Sequence, residues 1–139
     1  MHITRLDRAP AYDAPGHQQM RMLRLQSRES GPADQLWLGL SYLLPGGGTT
    51  LDASEIEKMY VVLEGEVVVS NGAQEATLGR WDSCRIAPGE ARRLGNRTNR
   101  PAAILLAMPL DPPAPKTALI GNRAGANEAL PASGKEPIE

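Results

Sequence analysis

The stretch that decides the fold is Pro45–Glu66, PGGGTTLDASEIEKMYVVLEGE. Its three consecutive glycines, Gly46, Gly47 and Gly48, admit backbone angles that a Cβ forbids. Met59–Leu63 is an apolar, partly β-branched run and reads as a strand. Glu64-Gly65 reads as a tight turn and Glu66–Val69 as a returning strand, so the local signals predict a β-hairpin.

Upstream, Leu36–Leu44 (LWLGLSYLL) is a long apolar strand, which Pro45 is expected to stop because it has no N–H to give a ladder. Before it, Ile3–Leu6 suggests a short strand, residues 9–17 a loop, Met20–Leu25 a strand and Ser27–Gln35 a second loop. Downstream, Asn71-Gly72 signals a two-residue turn. Strands are expected over Gln74–Leu78, Ser83–Ala87, Ala91–Asn96 and Ala102–Met108, with turns at Gly79–Asp82 and Pro88-Gly89. No amphipathic helix of useful length interrupts them. Many short strands divided by turn signals describe an all-β sandwich or closed barrel. The 14 glycines and 12 prolines in 139 residues agree with that class.

A chain of this length is expected to be a single domain that buries a core without metal or disulfide support. Its one cysteine, Cys84, excludes an internal disulfide framework and suits a reducing compartment, and its alternating neighbours make it a small core residue. A net charge of −1 gives no global field for nucleic acid or membrane, and with no Phe an aromatic platform for bases is not expected. Met1–Pro10 lacks an apolar core of a signal peptide, and no apolar run approaches a membrane span, so the expected location is the cytoplasm. Arginines 80, 85, 92, 93, 97 and 100 gather in the later half, and Asp52, Glu55, Glu57, Glu64 and Glu66 in the earlier half. A solvated face or a dimer contact accounts for this better than nucleic-acid binding, since alternation splits the arginines between faces.

The glycine-to-glycine stretch resembles the first motif of the cupin superfamily: Gly, five residues, His-x-His, three or four residues, Glu, six residues, Gly. With the three-residue spacer the match runs Gly46, Asp52, Ser54, Lys58, Gly65. With the longer spacer the two His positions become Leu51 and Ala53. The second motif, anchored on Gly89, matches Asn96, places Arg92 where the fourth ligand His would stand, and finds Trp81 and Ala87 at its Gly and Pro positions. The resemblance covers residues 36–108. It implies a cupin-like jelly-roll β-barrel with an N-terminal segment of strands and loops (1–35), the barrel core (36–108) and a Pro/Ala-rich C-terminal tail (109–139). Both glycines are kept, while all four ligand positions carry other residues. The only histidines are His2 and His17, upstream of both motifs. The expectation is therefore no metal and no cofactor. The remaining metal route is a rearranged site of His17 with Asp52, Glu55 or Glu57.

By the resemblance, the ligand-bearing face is the barrel interior, which brings Lys58, Tyr60 and Arg92 together with Asp52, Ser54 and Asn96. These residues suit an anion site. Arg92 offers a planar fork for a carboxylate, with Asp52, Ser54 and Asn96 as further substrate contacts. Lys58, desolvated, would be poised as an acid, base or Schiff-base amine; Tyr60 and His17 would also move protons. The competing structural reading pairs Asp52 with Lys58 or Arg92 in a satisfied ion pair, and leaves His17 on a surface loop bonded to backbone. Three roles fit. The first is a metal-independent isomerase, cyclase or decarboxylase-type enzyme acting on a small carboxylated metabolite. The second is a non-catalytic binder or sensor. The third is a structural barrel acting through its dimer surface. A homodimer is expected from family habit and from the apolar outward positions Met59, Val61 and Leu63.

Overall fold

The computed structural model describes residues 1–110. The tail expected over 109–139 therefore lies almost wholly outside the described residues. A short 3-10 turn, Leu6–Arg8, stands where a strand was expected at Ile3–Leu6. Ten strands follow: β1 (Ala11–Tyr12), β2 (His17–Gln26), β3 (Leu36–Thr49), β4 (Asp52–Ala53), β5 (Lys58–Glu64), β6 (Val67–Ser70), β7 (Glu75–Leu78), β8 (Ser83–Ile86), β9 (Ala91–Gly95) and β10 (Ala102–Pro109).

One wall of the barrel runs β2-β3-β10-β5-β8, and the other runs β4-β9-β6-β7. They meet where Gly48 of β3 pairs with Gly95 of β9. The free edges are β7 and β8, so the barrel is closed along one side and left with a seam along the other. This is the jelly-roll arrangement.

The expected hairpin does not form. β5 pairs with β10 and β8, whereas β6 pairs with β7 and β9, so Glu64–Glu66 carries the chain from one wall to the other. Gly65 makes that corner possible. Its φ is +75°, and a Cβ there would lie 3.0 Å from both the Ala102 Cα and the Pro101 carbonyl oxygen. Crossing lets Tyr60 and Val62 on one wall, and Val67 and Val69 on the other, all face the same core.

Pro45 does not stop β3 either. Pairing with β10 ends at Leu43–Ala102, and the β2 register slips between Gln18 and Met20, so the ladder asks nothing of the Pro45 nitrogen. Beyond the bulge the chain changes partner: Gly46 N–H donates to Asn96 O, and Asn96 N–H to Gly47 O, each at 2.9 Å. The turn at Asn71-Gly72 is a four-residue loop, Asn71–Gln74, held by the Asn71 side chain, which accepts from the Ala73 and Gln74 amides. The other strands lie within a residue or two of expectation, except β2, which begins at His17, β1, inside an expected loop, and β4, inside an expected polar segment.

The core interleaves Trp37, Leu43, Tyr60, Val62, Val67, Leu94, Ile104, Leu106 and Met108, all essentially without solvent contact. β3 approaches β9 at backbone distance. A Cβ on Gly48 would sit 2.2 Å from the Leu94 carbonyl oxygen, while one on Gly95 meets nothing within 4 Å. Gly48→Ala is therefore expected to cost about 2 kcal/mol through overpacking against backbone. Gly95→Ala should stay within about 0.5 kcal/mol. Urea unfolding midpoints of the two variants check the difference.

Candidate functional site

Alternation along β5 turns Lys58, Tyr60 and Val62 inward, at 2%, 0% and 0% exposure. Directly across on β8 stand Ile86, opposite Lys58, and Cys84, opposite Tyr60. From the other wall, β9 turns Arg92 and Leu94 inward, and Arg92 is 2% exposed. His17 opens β2 opposite Thr49, and Asp52 of β4 is the backbone partner of Arg92. The structure thus brings Lys58, Tyr60, Arg92 and His17 into one electrostatic neighbourhood, in which Arg92 acts on all three of the others.

Their hydrogen bonding is incomplete. Lys58 Nζ donates to Ser54 Oγ at 2.7 Å. The Arg92 Nε, the Tyr60 hydroxyl and the His17 Nε2 are buried without a hydrogen-bond partner. Arg92 sits against the Tyr60 hydroxyl closely enough to act on it, but not in the alignment of a good hydrogen bond. His17 Nδ1 lies 2.8 Å from the Pro15 carbonyl, which can only accept, so Nδ1 carries the proton. In the neutral ring Nε2 is then a free acceptor, which suits a base.

The expected ion pair between Asp52 and Lys58 or Arg92 is not formed. Asp52 is exposed and takes a hydrogen bond from the Thr50 hydroxyl at 2.5 Å. Although its backbone pairs with that of Arg92, its carboxylate turns to solvent at the edge, where hydration costs less than burial. Among the described residues no carboxylate is buried and none pairs with Lys58 or Arg92, so these two interior cations have no fixed counter-ion, unlike the third buried cation, Arg24, which Glu29 holds at 3.3 Å. Asn96, expected as a substrate contact, spends its amide on the fold. It donates to the carbonyls of Leu43 (2.9 Å) and Arg100 (2.6 Å) and accepts from the Thr98 backbone N–H (2.9 Å) and hydroxyl (2.8 Å).

Burial and the Arg92 charge shape the acid–base properties. Lys58 is lowered to about 8, first by desolvation and then by repulsion from Arg92. Tyr60 is raised to about 12 by burial, with the Arg92 charge opposing. His17 is lowered by burial; the Pro15 bond opposes this, Arg92 adds to it and Asp52 works against it. The Cys84 thiol is pushed up by burial and by Glu90. Near neutral pH the site therefore offers an ammonium close to its titration point, a protonated phenol, a neutral imidazole and a fixed guanidinium.

The donor set does not fit a transition metal. The motif positions hold Asp52, Ser54, Lys58 and Arg92, of which two are cations that repel a divalent ion. Of the carboxylates in the rearranged route, Glu57 is paired with Arg85 and Asp52 is bonded by Thr50, and among the described residues no three His, Cys, Asp or Glu side chains cluster closely enough to hold a metal ion. Cys84 is half-buried at the wall, less enclosed than a core position; its place beside Tyr60 depends on register, which alternation alone does not reveal.

The cupin domain family profile matches residues 39–108, and the chain belongs to that family. It is 43% identical over 106 residues to the Beta-D-galactosidase Rv1717 of Mycobacterium tuberculosis, covering 76% of this chain and 91% of that one. Among solved structures it superposes on the polyketide cyclase RemF from Streptomyces resistomycificus, with TM-score 0.70 and 21% identity, covering 78% of this chain and 79% of that chain. A predicted oxalate decarboxylase from Thermotoga maritima gives TM-score 0.66 and 20% identity, covering 78% and 98%. At these identities the two structures bear on the fold. Among the described residues no helix is long and apolar enough to cross a membrane.

The Lys58 shift carries a pH signature. Its folded value of about 8 lies below the ordinary 10.5, so between these values the unfolded chain binds a proton that the folded chain does not. This group therefore makes stability rise with pH across that window, and its burial cost is fully felt below it. Lys58→Met is expected to raise the melting temperature at pH 7 and to flatten that rise. Tyr60 and Cys84, both shifted upward, act in the opposite sense at high pH, so the wild-type minus Lys58→Met difference between pH 7.5 and 10 is the quantity to measure.

Proposed function

We propose that this barrel binds a small carboxylated metabolite at Arg92 and Lys58 and moves a proton on it, without a metal. The observation that carries the reading is the pair of buried cations with no buried carboxylate beside them. An uncompensated interior charge costs several kcal/mol, and an anionic ligand is the partner that would offset it. Arg92 holds the carboxylate. His17 Nε2, the free acceptor, takes a proton from the carbon next to a carbonyl, and Arg92 with Lys58 stabilises the negative charge that develops. The Tyr60 phenol, protonated and otherwise unpartnered, returns a proton to the product. This is the chemistry of an isomerase or cyclase; a decarboxylase-type reaction would lose CO2 in place of that proton, with the same cations stabilising the enolate and Tyr60 protonating the carbon. Ser54 positions Lys58, and Asp52 influences His17 from the rim. The working unit is a homodimer packed through the outer face that includes Met59, Val61 and Leu63.

A second reading, hydrolysis of a β-galactoside, draws support from the 43% identical relative named as a galactosidase. The described interior has no buried carboxylate for the usual acid and nucleophile pair, so Lys58 and Tyr60 would have to serve instead. A third, binding without turnover, uses the same anion contacts.

Oxaloacetate and p-nitrophenyl β-D-galactoside separate these. Oxaloacetate is expected to bind and to exchange its C3 protons with solvent faster than in buffer alone. Arg92→Gln should weaken its binding by about tenfold or more, and His17→Gln should lower kcat by about a hundredfold with KM little changed. Hydrolysis of the galactoside that is indifferent to Arg92→Gln would replace the anion reading with the glycosidic one. Oxaloacetate binding with no faster exchange would leave a binder.

A further inference from the structure

The seam between the free edges β7 and β8 holds a cavity of about 300 Å³ that the acid–base site does not use. Its floor is apolar: Val69, Ala76 and Leu78 from one wall, Ile86 and Cys84 from the other. Register makes these inward positions, since Val69 pairs with Ala76, and Ile86 and Cys84 stand directly opposite Lys58 and Tyr60. The cavity therefore lies beside the site, with Cys84 and Ile86 between it and their strand partners Tyr60 and Lys58. Tyr60 is the bridge, lying next to Cys84 on one side and Arg92 on the other, with its buried hydroxyl unpartnered.

Most of the polar rim is already committed to the protein, the Gln74 side chain excepted. Asn71 donates to Glu90 at 2.8 Å, Glu90 also accepts the Ala87 N–H at 2.8 Å, Arg85 is paired with Glu57, and Glu75 is bonded twice by Arg97. Such a rim has few free donors for a hydroxyl-rich ligand, while the floor offers apolar surface whose covering is favourable in proportion to area. We propose that this seam is a subsite for the apolar portion of the ligand, an alkyl or aryl group attached to the carboxylate held at Arg92. The inference rests on the anion reading and narrows the substrate class to amphipathic carboxylates.

Three probes and one chemical label test it on the full chain. Calorimetry with acetate, hexanoate and phenylacetate is expected to show the two larger acids binding at least about tenfold tighter than acetate. Ala76→Trp, at an exposed edge-strand position, should erase that gain and leave acetate unchanged; Ala76→Met is the milder filler should the Trp variant fold poorly. Cys84 is the only thiol, so labelling by N-phenylmaleimide at pH 8.5, followed by mass, reports the seam independently of Arg92. Labelling should slow about tenfold on filling Ala76 or on saturation with phenylacetate. Equal affinity for the three acids, or a gain untouched by the Ala76 variants, overturns the subsite. If no carboxylate binds, the anion reading falls with the carboxylate assignment. In that case labelling still governed by Ala76 keeps an apolar cleft, and labelling indifferent to it removes the cleft as well.

Discussion

The constraint on which this site depends is the cost of placing two cations inside a barrel with no fixed counter-ion. Arg92 and Lys58 reach the interior because strand alternation turns them there, from opposite walls of one core. Each makes the other more costly, and the effect is visible on Lys58, whose pKa falls to about 8 under desolvation and the Arg92 charge. A chain seeking stability alone would have placed apolar side chains or a carboxylate at one of these positions. The adjoining groups carry the same mark of incompleteness: a phenol, an imidazole nitrogen and a guanidinium nitrogen, all buried and all without a hydrogen-bond partner.

Around this interior the frame is held by close backbone approaches and by Asn96. Gly48 and Gly65 allow strands to meet at backbone distance, and Asn96 ties the bulge of β3 to the loop before β10 through both ends of its amide. Of the motif positions that build backbone, Gly46, Gly65, Gly89 and Asn96 match while Trp81 and Ala87 do not, and none of the four that would bind metal carries its ligand. Fold and chemistry are carried by separate residues, so the barrel can persist while its interior is rewritten.

How much of this was legible follows the range of the interactions. Period-two alternation is local, and it put Lys58, Tyr60 and Val62 on one face of their strand and Arg92, Leu94 and Asn96 on one face of theirs, while the family resemblance made those faces the interior. Pairing is not local. Met59–Leu63 and Glu66–Val69 look like a hairpin because a corner that changes wall and a turn that reverses within one wall both use a glycine at positive φ. Pro45 looked like a stop because the partner switch that spares its nitrogen depends on strands about 50 residues away. Side-chain commitments were least legible. Asp52 and Asn96 both sit at motif positions, yet one turns to solvent and the other serves the backbone. Cys84 gains interest only because register sets it against Tyr60.

The central claim is that Lys58 is an interior ammonium held near its titration point and waiting for an anion. The most direct test is the Lys58 Nζ titration by heteronuclear NMR, with Lys58→Met for assignment, in the absence and presence of saturating phenylacetate. The account predicts a midpoint about 8 in the free protein, moving upward when the carboxylate binds. A midpoint near 10.5 that does not respond to the carboxylate would contradict it.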